Sequence, residues 1–233
     1  MKICLFGVSG ITLGKHNLKD LRLDQADKLV EAQKKTYAQA DVVDEKELLT
    51  ADAILTTRAA LSDLLLRDLD AVETRLGRDP GEAEKAVLQK LADGLMSEKP
   101  LSTIGLTAED LSAISAHNFC SNKPVVVAEE AELASPDALL VRAFKESGYL
   151  SFLTVGGKEN RAWPIRSGSN AWEAAGTIHT DIQKGFIRAE IIGFSDFIQA
   201  GGETQAKRAG KQRLELKTYV VQDYDLVNFR FNK

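Results

Sequence analysis

The feature that most constrains the fold is a pair of amphipathic segments in the middle of the chain. Over residues 51–76, apolar side chains recur every three to four positions, at Leu61, Leu65, Leu69, Val72 and Leu76. This is the period of a helix with one buried face. Residues 79–81, Asp-Pro-Gly, interrupt the pattern because proline cannot continue a helix. A second helical pattern follows over 82–96, and so short a turn predicts an antiparallel helical hairpin.

Short apolar runs of buried-strand character flank this hairpin. They cover residues 2–6, 40–43 and 124–128, while residues 21–31 show a helical pattern. A capping signal at Thr107 predicts a third, short helix through residue 116. Residues 1–150 are therefore expected to form one α/β domain, with the hairpin inserted at about 51–120.

The last third of the chain carries six sequence blocks in a fixed order. They are FLTVG (152–156), RAW (161–163), AAGTIHTD (174–181), KGFIRAE (184–190), YVVQD (219–223) and FRFN (229–232). Together they closely resemble the C-terminal TGS domain of the YchF / Obg-like ATPases. The resemblance implies that residues 151–233 form a ubiquitin-like β-grasp domain, a mixed sheet wrapped over one helix. The expected fold class is thus a reduced P-loop-like α/β layer with an inserted helical hairpin, plus a C-terminal β-grasp domain.

That family consists of P-loop nucleotide hydrolases, so the first strand should lead into a phosphate-binding loop. Such a loop needs Gly, four residues, and then Gly-Lys-Ser/Thr. Here Gly14 and Lys15 supply the Gly-Lys pair, but Ser9 occupies the first glycine position and His16 replaces the hydroxyl. Imidazole is a poor ligand for Mg²⁺, which prefers oxygen. A relic anion-binding loop around Gly14 and Lys15 is one interpretation, and an ordinary exposed strand-to-helix loop is the favoured one.

The other two nucleotide-binding elements are altered as well. The family carries an Asp-x-x-Gly motif, and here Asp44 occupies the Asp position while Glu47 occupies the Gly position. This replacement puts a carboxylate where a phosphate should lie. Where the family carries Asn-x-x-Glu for base recognition, Glu129 replaces the amide while Glu132 remains. We therefore expect a shortened pseudo-nucleotide domain without ATP or GTP hydrolysis, catalytic residues, cofactor or metal.

The C-terminal region is the more basic part of the chain. Residues 151–233 carry 12 Lys+Arg against 9 Asp+Glu, whereas the first 150 residues carry 18 against 25. Six positions are candidates for nucleic-acid binding: Lys184, Arg188, Lys207, Arg208, Lys211 and Arg213. Such cations supply sequence-independent affinity for phosphates, although a basic run is also typical of a solvated loop. The family's association with ribosomes favours RNA or the ribosome as the partner.

Three functions remain open at the level of sequence. The preferred one is a non-catalytic, RNA- or ribosome-associated module acting through the TGS-like domain, and the alternative is a YchF-type ATP/GTP hydrolase with an atypical P-loop. A third is an adaptor that binds a protein through the helical hairpin. No run of 18 apolar residues occurs, and the two cysteines are isolated, so a cytoplasmic protein without a membrane span is expected. We expect His179 to brace a turn rather than to act in acid–base chemistry.

Overall fold

A computed structural model describes residues 1–232, which divide into two compact units. The first unit comprises residues 1–16 and 40–147. The second comprises residues 17–39 together with the chain from residue 148 onward. Residues 17–39 were expected in the N-terminal domain, whereas the structure packs them with the C-terminal part of the chain.

Residues 1–232 form eleven strands and nine helices, besides short 3-10 turns. The strands are β1 (Lys2–Phe6), β2 (Gly14–Asn17), β3 (Lys34–Thr36), β4 (Gln39–Val43), β5 (Ala53–Thr57), β6 (Val125–Ala128), β7 (Tyr149–Thr154), β8 (Glu159–Arg166), β9 (Phe186–Ile192), β10 (Arg213–Glu215) and β11 (Leu226–Phe231). The helices are α1 (Leu21–Leu29), α2 (Arg58–Leu76), α3 (Glu82–Met96), α4 (Ala108–Ala113), α5 (Pro136–Glu146), α6 (Ala171–Ile178), α7 (Thr180–Lys184), α8 (Phe194–Ala200) and α9 (Glu203–Arg208).

The sheet of the first unit has the strand order β2-β4-β1-β5-β6. Strand β1 pairs in parallel with both β4 and β5, and β5 pairs in parallel with β6. The expected long helix from residue 51 was wrong at its N-terminal end, because residues 53–57 form β5 and α2 begins only at Arg58. The Thr57 hydroxyl accepts a hydrogen bond from Ala60 N (3.2 Å) and so caps α2. Apolar periodicity does not separate a buried strand from a helix, and β5 is buried on both faces.

Helices α2 and α3 pack through a buried apolar cluster. Its members include Leu61, Leu65, Val72, Val87, Leu88, Leu91 and Leu95. The buried Asp68 on α2 accepts hydrogen bonds from Cys120 N (2.6 Å), Ser121 N (2.7 Å) and Ser121 Oγ (2.6 Å). This carboxylate therefore fixes the chain just before it enters β6.

The sheet of the second unit has the strand order β10-β9-β11-β7-β8-β3. Strand β3 lies at one edge, parallel to β8, with Lys34 opposite Glu159. The buried Asn160 Nδ2 donates to Asp27 Oδ1 (2.7 Å) and Val30 O (2.5 Å). These bonds satisfy a buried amide, and they explain why residues 17–39 belong to this unit.

The two faces of this sheet differ in chemistry. Ala189, Ile191, Val227 and Phe229 on β9 and β11 pack against α6 and α7 in a buried core. The residues that alternate with them include Arg188, Glu190, Asn228 and Arg230. Arg188 and Glu190 thus lie on the face of β9 opposite to Ala189 and Ile191. Residues 217–221 form no strand and contribute only an isolated bridge between Asn170 and Val220.

Candidate functional site

The first unit has a cavity at the carboxyl ends of β1 and β4. Its volume is about 520 Å³, and it is lined by Leu5, Gly7, Val8, Ser9, Ile11, Leu13, Asp44, Glu45 and Lys46. Open α/β sheets bind ligands at the carboxyl ends of their strands, so a nucleotide would be expected to bind in this cavity.

The loop that follows β1 leads into a strand. A phosphate-binding loop runs into a helix, whose N-terminal amides face the anion, but residues 7–13 run into the edge strand β2. Gly14 and Lys15 therefore lie in a strand, and neither lines the cavity. The neighbouring His16 is held by its own loop, because its Nε2 lies 2.6 Å from Thr12 O. The expected strand-to-helix connection was wrong, since the loop joins two strands.

The acidic residues after β4 are held by local contacts. Asp44 caps a 3-10 turn by accepting from Lys46 N (3.0 Å), and Glu45 pairs with Arg67 (3.1 Å). The Glu47 carboxylate pairs with Lys2 Nζ (2.5 Å), and this contact raises the pKa of Lys2. Glu47 was expected at the phosphate position, but Asp44 and Glu45 line the cavity instead.

Glu132, the residue that remains of the base-recognition motif, is also held by local contacts. Glu132 accepts from Glu129 N (2.9 Å) and pairs with Arg142 (2.8 Å), so both of its carboxylate oxygens are engaged.

Lys123 Nζ donates to the carbonyl oxygens of residues 48, 49 and 51 at 2.9, 2.8 and 2.8 Å. Burial lowers the pKa of this ammonium group. Lys123 therefore fixes the turn after β4.

The six basic residues predicted in the C-terminal part are all exposed. Three are ion-paired within the second unit: Lys207 with Glu203 (2.6 Å), Lys211 with Asp196 (3.0 Å) and Arg213 with Glu215 (3.7 Å). Lys184, Arg188 and Arg208 have no side-chain partner among residues 1–232. The structure thus leaves half of the predicted set free for an external anion.

The predicted Arg188 belongs to a cluster on this unit whose other members were not predicted. Arg188 on β9 lies directly opposite Arg230 on β11, and Glu190 lies opposite Asn228. The buried Glu190 carboxylate accepts from Arg230 Nε (2.7 Å), Arg230 Nη2 and Asn228 Nδ2 (2.9 Å). Burial by itself would raise the pKa of Glu190, but the hydrogen bonds from Arg230 and Asn228 outweigh it and lower the pKa. The alternation of β11 hinted at these side chains, but only the strand register reveals that they meet.

His179 has the structural role expected for it. Its Nδ1 accepts from Asp181 N (3.1 Å) and caps α7. Within residues 1–232, no group of three or more His, Cys, Asp or Glu side chains has a metal-binding arrangement. None of the helices described there is both long and apolar enough to cross a membrane.

Comparison with known proteins agrees with the fold. Residues 149–232 match the family YchF-GTPase_C, described as a protein of unknown function (DUF933). Over 233 residues the chain is 33% identical to the "Ribosome-binding ATPase YchF" of Haemophilus influenzae, covering 73% of this chain and 64% of that protein. Over 100 residues it is 46% identical to "Obg-like ATPase 1" of Danio rerio, covering 41% of this chain and 25% of that protein.

A solved structure is similar over almost the whole chain. The Schizosaccharomyces pombe YchF GTPase superposes with a TM-score of 0.78 at 16% identity, covering 99% of this chain and 97% of that chain. The protein is therefore a mixed α/β protein with the fold of the YchF GTPases. The chain belongs to the YchF / Obg-like ATPase family. The matched region spans 64% of the length of the Haemophilus protein, which is less than two thirds of it.

Proposed function

We propose that this chain is a non-catalytic YchF-like protein that binds RNA or the ribosome through its second unit. In this proposal the second unit is a TGS-like β-grasp domain, and α2 and α3 form the helical hairpin of a shortened pseudo-nucleotide domain. The observation that carries the proposal is the connection after β1, which enters a strand instead of a helix. Curated relatives named ribosome-binding ATPases support the choice of partner.

The first unit lacks the electrostatics that a triphosphate requires. Phosphate binding in this family of folds depends on backbone N–H groups and a lysine aimed at the anion. Here Asp44 and Glu45 line the cavity beside a single Lys46. Two carboxylates at the edge of the cavity repel a phosphate group. The expected outcome is a cavity that does not select ATP or GTP.

The second unit presents cations that suit a polyanion. Lys184, Arg188 and Arg208 are exposed and unpaired among the described residues, while Lys207, Lys211 and Arg213 form surface ion pairs. Surface pairs of this kind contribute little to stability, so their cations are free to exchange partners. Affinity for RNA would come from these groups through counterion release.

The test uses the full chain with ribosomes and with a structured RNA. Replacing Lys207, Arg208, Lys211 and Arg213 by Ala should weaken RNA binding and lower the salt slope, by up to about 0.9 for each phosphate that the variant no longer neutralises. A charge-matched control removes four exposed cations of the first unit, Lys46, Arg78, Lys85 and Lys99. If both variants sediment with ribosomes as the parent does, or if the parent does not bind RNA at low salt, the proposal is wrong.

The alternative is an ATP- or GTP-binding hydrolase with an atypical loop. The names of the curated relatives and the cavity of about 520 Å³ at the sheet edge favour it. Micromolar nucleotide binding by calorimetry with Mg²⁺, reduced by Lys15→Ala, would support this alternative over our proposal.

A further inference from the structure

The face of the second-unit sheet that carries Arg188 contains an unfavourable pair of like charges. Arg188 and Arg230 are direct cross-strand partners on β9 and β11. Directly opposite side chains have Cβ atoms about 4.5–5.5 Å apart, and like charges in such pairs are destabilising. Both guanidinium groups are exposed. A sheet that keeps two arginines opposite each other is suited to an anion placed between them.

The neighbouring pair of residues positions one of these arginines. Glu190 is only 6% exposed, and one of its oxygens accepts from both Arg230 Nε and Arg230 Nη2, while the other accepts from Asn228. An arginine has five N–H donors, so three remain available on Arg230. Its side chain is still 60% exposed. Glu190 and Asn228 are thus positioning residues that hold Arg230 with donors left for a ligand.

The charge balance of the cluster favours one added anion. Glu190 offsets one of the two guanidinium charges, and Arg188 has no side-chain partner in the described part of the chain. Lys207 is close enough for its charge to act on the Glu190 carboxylate. A phosphodiester carries one negative charge and accepts hydrogen bonds from planar guanidinium groups in fixed geometry.

We infer that Arg188 and Arg230 form a phosphodiester clamp for an RNA backbone on the face of this sheet that carries Arg188, with Arg230 oriented by Glu190 and Asn228. The inference rests on the proposed function and adds to it a defined contact outside the 207–213 segment. RNA is the favoured ligand because Lys184 and Arg208 are further unpaired cations of the same unit, as repeated phosphates require.

The test variant is Arg188→Gln, studied for stability without RNA and then for RNA binding. Removing the repulsion should raise the Tm by roughly 1–3 °C. The same variant should bind structured RNA about tenfold more weakly at low salt, with a salt slope lower by about 0.9. The matched control is Arg78→Gln, which removes an exposed arginine of the first unit and should leave both the Tm and RNA binding unchanged.

A second variant separates orientation from charge. Glu190→Gln keeps the size of the side chain and removes the carboxylate that orients Arg230, so RNA binding should weaken although the net charge becomes more positive. Tighter binding by Glu190→Gln would overturn the positioning role.

The outcomes distinguish the clamp from the broader proposal. If Arg188→Gln binds RNA as the parent does while the four-residue variant of the 207–213 segment does not, the clamp is wrong and the proposed function stands. A lower Tm for Arg188→Gln would contradict the like-charge argument. Failure of the parent to bind RNA would overturn both.

Discussion

The guanidinium carbon of Arg22 lies 3.6 Å from the centroid of the Tyr224 ring. The same guanidinium pairs with Asp20 (2.8 Å) and with Asp223 (2.8 Å), and these two hydrogen bonds outweigh burial and raise the pKa of Arg22. Arg22 lies on α1, whereas Asp223 and Tyr224 precede β11. One side chain thus joins residues 17–39 to the C-terminal strands of the second unit.

Arg22→Ala should destabilise the second unit by about 2 kcal/mol, because it removes charge-assisted hydrogen bonds and a cation–π contact together. The Arg22 side chain is 27% exposed, so these contacts are partly shielded from water. Urea unfolding followed by circular dichroism measures the change. Arg208→Ala is the control and should change stability by less than about 0.5 kcal/mol. Equal midpoints for the two variants would contradict the role given to Arg22.

Gly7→Ala should cost more stability than Gly10→Ala, although both positions have positive φ, +64° and +84°. A Cβ at Gly7 would lie 2.2 Å from Ala60 Cβ, whereas a Cβ at Gly10 meets nothing within 4 Å. The backbone term is about 1–2 kcal/mol at each site, and overpacking adds about 1–3 kcal/mol at residue 7. Urea unfolding of both variants gives the difference, and equal destabilisation would show that α2 does not pack tightly on the β1 loop.

Glu84 should stabilise the first unit at neutral pH and lose that effect in acid. Hydrogen bonds from Arg75 and then His117 lower the pKa of Glu84 to about 2, from an ordinary 4.5. Because the pKa is depressed on folding, the stabilisation is present above about pH 4.5 and is lost as the pH falls toward 2. The difference in urea midpoint between the parent and Glu84→Gln should therefore shrink over that range. Glu73→Gln on α2 replaces an exposed residue without a side-chain partner among residues 1–232, and as the control it should change the urea midpoint at neutral pH far less than Glu84→Gln does.

ATP and GTP should bind no more tightly than about millimolar with Mg²⁺, and hydrolysis should be undetectable. The physical reason is that Lys15 lies in strand β2, outside the cavity lined by Asp44 and Glu45. Isothermal calorimetry and a phosphate-release assay measure both quantities. Lys15→Ala should behave as the parent in each, whereas micromolar binding that this variant abolishes would contradict the prediction.

Local sequence patterns were informative where neighbours in the chain provide the contacts. The Asp-Pro-Gly break and the apolar repeat over 82–96 gave the bounds of α3, and Thr107 with Asp110 forms the capping box that begins α4. The same patterns failed at residues 53–57, where full burial between β1 and β6 made a strand resemble a helix.

The sequence by itself determined the family, the apolar periods of the helices and the alternation along β9, because these depend on residue type and spacing alone. Only the tertiary structure decided that residues 17–39 join the C-terminal unit through Arg22 and Asn160. It also decided that Arg188 on β9 lies opposite Arg230 on the neighbouring strand β11. Such contacts depend on strand register and on packing between residues 40 to 200 positions apart, and no local pattern specifies these.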